Sequence, residues 1–145
     1  MSRMLFDKNN QWRFTTIAKR RLEAGNLEGD DALIAAAMDI HPELDAMWDL
    51  GELSATPQEV NGTVVNPFIH TALHVLIEKQ LLDQSPPEAV ETLTVLTGRG
   101  ANRHEAVHAI AAVYAELYFT SFRRGQSFEE TSYIELLRQL VVPPE

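Results

Sequence analysis

Four of the five histidines in this 145-residue chain fall into two pairs, each spaced four residues apart. The first lies in Asn66-Pro67-Phe68-Ile69-His70-Thr71-Ala72-Leu73-His74, and the second is His104-Glu105-Ala106-Val107-His108. Residues four apart on a helix stand one above the other, so both rings of a pair can face one ion. The second pair also matches the H-E-x-x-H pattern, in which the glutamate serves a metal-bound water as general base. His70, His74, His104 and His108 are therefore the candidate metal ligands, and Glu105 is the candidate catalytic base. The chain has no cysteine, so any ion must be held by imidazole and carboxylate. Zinc is the first expectation from ligand type, and manganese, iron and nickel also accept imidazole.

The elements that must position these rings are helices. Strand signals are almost absent, and the pattern predicts an all-α, single-domain bundle of six or seven helices over residues 1–145. A first helix is expected from about Asp7 to Glu23, with Phe6, Trp12, Phe14 and Ile17 for a core and Gly25 and Gly29 beyond its end. Asp30 and Asp31 open a second, with Leu33, Ile34, Ala37, Met38 and Ile40 near the helical period. His41-Pro42 stops it, because proline disfavours helical geometry in the residue before it. A short helix follows to about Leu50, and residues 51–65 read as irregular, with turns at Thr56-Pro57 and Asn61-Gly62.

Asn66-Pro67 reads as an N-cap with proline at the first helical position, opening a helix to about Asp83. Ser85 and Glu88 stand at capping-box spacing before a helix that ends near Gly98 and Gly100. Asn102 caps a long helix to about Arg124, closed by Gly125. Ser127 and Glu130 repeat the capping-box pattern before a last helix to about Leu140, and the tail from Val141 to Glu145 frays.

The two histidine pairs thus sit near helix N-termini, where the dipole favours the neutral ring that binds metal. His70 and His74 flank the apolar stripe Ile69, Leu73, Leu76. His108 shares a stripe with Ala111, Ala115 and Phe122, whose small members admit a neighbouring helix. Short up-and-down connections would bring the two helix starts to the same end of a bundle. The alternative is a buried hydrogen-bonded network of the four rings with Glu105 and Glu116, without metal. Such a network leaves several ring nitrogens short of partners, which costs energy. Glu78, one turn beyond His74, and Glu116, two turns beyond His108, are candidates for an extra ligand or for orienting a ring. His41 has no partner at metal spacing and reads as structural or exposed. Asn66 and Phe68 read as cap and core, and Tyr114 and Tyr118 as core.

Composition narrows the classes further. The apolar fraction is 45% and the charged fraction 23%, as in ordinary globular proteins. No run is long enough for a membrane span, and Asp7 and Lys8 interrupt any signal-peptide core, so the expected compartment is the cytoplasm. The net charge of −9 argues against nucleic acid as a partner. Residues 1–21 nonetheless hold Arg3, Lys8, Arg13, Lys19, Arg20 and Arg21 against Asp7 alone, leaving +5 there and −14 in the rest. This basic stretch is expected to pack on the chain's own acidic body rather than to dock a partner.

At these motifs the chain resembles a bacterial family, domain of unknown function 1841. The likeness rests on Asn-Pro-Phe-x-His-x-x-x-His at 66–74, His-Glu-Ala-x-His at 104–108, and the later stretch with Glu116, Arg123, Gly125 and residues 133–140. The resemblance implies a helical fold and a cytoplasmic bacterial setting, and it brings no reaction or substrate. Three functions follow from the residues. One is a metal-dependent hydrolase of a small-molecule substrate with Glu105 as base. Four imidazoles would leave it no open position, and no credible strand is present to hold a peptide. Another is a non-catalytic metal-stabilised or metal-sensing protein. The last is a metal-free module binding a protein partner or a second copy. A two-metal carboxylate centre is weaker, since Glu105 and His108 supply one Glu-x-x-His pair and the other helix supplies none.

Overall fold

The computed structural model describes residues 8–21, 27–60 and 62–142, apart from the side chains of residues 8, 9 and 52. Phe6, the Asp7 and Glu23 ends of the first helix, Gly25, Asn61, and residues 143–145 of the tail lie outside them. Seven helical segments and one small hairpin make up the described chain, so the predominantly helical expectation holds. In order they are α1 (Lys8–Arg20), α2 (Gly29–Ile40), a 3-10 segment (Pro42–Ala55), β1 (Gln58–Val60) and β2 (Thr63–Val65). Then come α3 (Pro67–Asp83), α4 (Pro87–Gly98), α5 (Arg103–Arg123) and α6 (Glu130–Leu140). Backbone contacts divide the chain into two compact units, Met1–Val75 and Leu76–Glu145, and α3 runs continuously through the division. Among the described residues no helix is long and apolar enough to cross a membrane.

The first unit is built around Phe14 and Ile17 of α1, Ile34, Ala37 and Met38 of α2, Trp48, and Phe68, Ala72 and Val75 of α3. Phe14 meets Phe68 edge to face at 4.9 Å. Two residues expected in this core are not there: Trp12 is 72% and Ile40 47% exposed. Counted by the helical period, Trp12 lies across α1 from Phe14, Ile17 and Ala18, and Ile40 falls well off the face of Ile34, Ala37 and Met38, so both turn outward. Arg13 pairs with Asp31, and Arg21 with Asp39 and Asp45, so part of the basic stretch does pack on the chain's own acids.

Residues 42–55 form a longer and tighter helix than expected, broken by Gly51 at φ 59° and ψ −120°. That conformation is cheap only for glycine. The segment read as irregular holds an antiparallel hairpin with Gln58 opposite Val65 and Val60 opposite Thr63. Strands of three residues are too short to show alternation in a sequence.

In the second unit α4, α5 and α6 pack pairwise. Ala89, Ala106, Val107, Ile110 and Leu137 are buried there, and Tyr114 meets Tyr133 edge to face at 5.3 Å. Tyr118 is half-buried, and Phe122, expected on the inner stripe of α5, is 71% exposed. Neither serine capping box forms. The N-caps of α4 and α6 are Pro86 and Glu129, without a side-chain cap bond. Paired prolines carry the chain into α4, and α6 begins three residues beyond Ser127.

Candidate metal centre

The start of α3 is fixed locally. Asn66 Oδ1 accepts the Ile69 N–H at 3.1 Å, while Asn66 Nδ2 donates to the Ala55 carbonyl at 2.8 Å. Pro67, whose missing N–H costs nothing at that position, is the first helical residue. His70 and His74 therefore fall in the first two turns, on one face, with ring centres 5.0 Å apart. His74 is 2% exposed.

His41 is where the structure departs most from the sequence reading. It ends α2 ahead of Pro42, it is 3% exposed, and its ring stands 4.6 Å from His70 and 4.5 Å from His74. Its Nδ1–H donates to the Ala37 carbonyl at 3.1 Å. A carbonyl can only accept, so the proton belongs on Nδ1 and Nε2 keeps its lone pair. That nitrogen lies 3.1 Å from His70 Nε2. A backbone carbonyl fixing the tautomer and aim of a ring is the usual support for a metal-binding histidine. No spacing rule finds His41, because its neighbours come from another helix. The helix-ending His-Pro step is the only local sign, and it speaks to geometry rather than chemistry.

The start of α5 is held by a reciprocal cap. Asn102 Oδ1 accepts the Glu105 N–H at 2.8 Å, and Glu105 Oε1 accepts the Asn102 N–H at 3.3 Å. His104 and His108 follow on one face with ring centres 4.3 Å apart. Next to them Arg103 grips Glu78 through both its terminal nitrogens, at 2.7 and 2.6 Å. The hydrogen bond to Glu78 raises the Arg103 pKa, against the cost of partial burial. Glu78 stands one turn beyond His74 on the same unbroken helix. One ring nitrogen from each of His41, His74, His104 and His108 lies within 4.8 Å of the other three, close enough to hold a metal ion.

Three of the four expected ligands thus belong to this set, His41 joins them, and His70 stands beside it on His41. The carboxylates have other employment. Glu105 is exposed and turned back onto its own helix cap, and Glu78 is engaged by Arg103. Glu116 is exposed and lines a groove of the second unit with Val113, Thr120 and Leu136. The set of four contains imidazoles alone.

No curated protein and no solved structure matches the chain. One family model does, over residues 7–139, a span that takes in every histidine and both capped helix starts. The chain belongs to that family, described as a domain of unknown function, DUF1841.

Proposed function

We propose that this protein binds one divalent transition-metal ion through His41, His74, His104 and His108. The observation that carries the reading is the approach of four imidazole nitrogens from three helix ends to within 4.8 Å of one another. The bond from His41 Nδ1 to Ala37 supports it, since it leaves Nε2 in the form an ion requires. Ligand type admits zinc, iron and nickel, and suits manganese least, because no carboxylate accompanies the rings.

The ion's role on this reading is to join segments distant in sequence, as a structural clip or a sensor of metal supply. Glu105 supports that choice over hydrolysis: a general base at a metal-bound water would first have to leave the Asn102 N–H. The reading keeps the bacterial cytoplasm as its setting, on the composition and the family resemblance. Elemental analysis of protein purified without a histidine tag tests it. One ion per chain is expected in the native protein, and almost none in the His74→Ala, His108→Ala double variant. Equal metal content in the two would overturn it.

A further inference from the structure

We infer that the His70 N–H occupies the His41 lone pair whenever the ion is absent, so that His70 acts on the site as a competitor of the metal and not as a ligand. The inference rests on the proposed function and adds to it what sets the affinity of the site and what changes when the ion arrives.

The protons of two rings decide the matter. His41 Nδ1 is 3.1 Å from the Ala37 carbonyl, which can only accept, so a neutral His41 carries its proton there. The lone pair left to that ring for a partner is the one on Nε2. His70 Nε2 lies 3.1 Å from it, within hydrogen-bonding range, and the proton between the two belongs to His70. An ion reaches His41 only through that same nitrogen. One lone pair serves one partner at a time, so the His70 bond and a bond from His41 to metal exclude each other.

Position separates the two roles along α3. His74, one turn further into the helix, is 2% exposed and belongs to the set of four nitrogens within 4.8 Å. His70 lies outside that set and is half-buried, so its N–H, once displaced, has a route to water. The exchange takes no proton off either ring. His70 keeps its N–H, and His41 trades a hydrogen bond for a coordinate bond. A ligand and its competitor thus stand four residues apart on one helix. Breaking their link to His41 raises the metal concentration at which the site fills, which suits a sensor of metal supply.

Zinc(II) alone, added to the full-length protein, reads this out. His70→Phe keeps a ring in place without an N–H, and its zinc affinity should rise about two- to tenfold, the range that one net hydrogen bond is worth. His70→Gln retains an N–H to offer His41 and should bind zinc about as the wild type does. Circular dichroism and the metal-free melting temperature show that both variants fold. Nitrogen-15 shifts of the wild-type imidazoles need no variant. They should show the His70 Nε2–H bonded without zinc, and released but still protonated and unligated at saturation. Zinc affinity in His70→Phe equal to or below that of the wild type would overturn the inference. So would a gain of the same size in His70→Gln, or a His70–His41 bond that survives saturation. In each of those outcomes the wild type still binds zinc and the proposed function stands. Failure of the wild type to bind zinc would sink both.

Discussion

Tyr133 is 1% exposed, and its hydroxyl donates to Gln80 Oε1 at 2.6 Å. Burial pushes its phenol well above the ordinary value; Tyr114 adds to the rise and the Gln80 bond offsets part of it. An unfolded tyrosine ionises near pH 10, so above about that pH the unfolded chain holds fewer protons than the folded one. The stabilisation from this group is thus complete below about pH 10 and is lost as pH rises toward the folded value. Tyr133→Phe should cost about 1 kcal/mol near neutrality through the missing hydrogen bond. Its deficit against wild type should shrink above about pH 10, where only the wild type pays for a buried phenol. Denaturant midpoints on either side of that pH check this, and a constant deficit would refute it. The same scale explains what the sequence withheld about the histidines. That His70 neighbours His74, and His104 neighbours His108, is legible because i, i+4 partners lie on one helix. The place of His41 is not, because its bonds to Ala37 and His70 depend on how a helix ends and what packs there.

Helix starts carry every ring but that of His41, so caps act on the site through position. Asn102 accepts from the Glu105 N–H, whereas Asn66 both accepts from Ile69 N–H and ties the helix to the Ala55 carbonyl. Asn102→Ala should cost about 1 kcal/mol of stability, and Asn66→Ala more, about 2 kcal/mol, since a second bond is lost with the cap. Equal or reversed losses in denaturant unfolding would contradict this. Asn66 and Asn102 were readable because a cap is a relation among four consecutive residues. Ser85 with Glu88 and Ser127 with Glu130 carry the same lettering and do not cap. Pro86 and Pro87 set the entry into α4, and α6 starts only at Glu130. The hairpin at 58–65 escaped for the opposite reason: its order lies in pairing across Asn61-Gly62, and each strand is too short to declare itself. The helical class survived these local errors because α3 and α5, at 17 and 21 residues, are long enough to show period and stop signals together.

At the scale of the molecule, the net charge of −9 must be reconciled with a cluster of rings that all compete for cations or protons. The basic stretch is used up in part by Arg13 with Asp31 and Arg21 with Asp39 and Asp45. Such pairs, with one partner in solvent, add little to stability by themselves. An ion is a different kind of link. Its proposed ligands run from His41 to His108, and an unfolded chain does not hold four rings within 4.8 Å, so binding energy goes to the native state. With free metal at about a hundred times its dissociation constant, that linkage is worth about 2.7 kcal/mol. For a chain near this length it corresponds to a rise of about 5–10 °C in Tm. A chelator should therefore lower the melting temperature by that amount, and restoring the ion should return it. The His41→Ala variant separates this link from general screening of acidic charge. It leaves every carboxylate in place, so a Tm gain from screening persists in it, while a gain from coordination disappears. If metal raised the melting temperature of His41→Ala as much as that of the wild type, the rings would not be holding the ion.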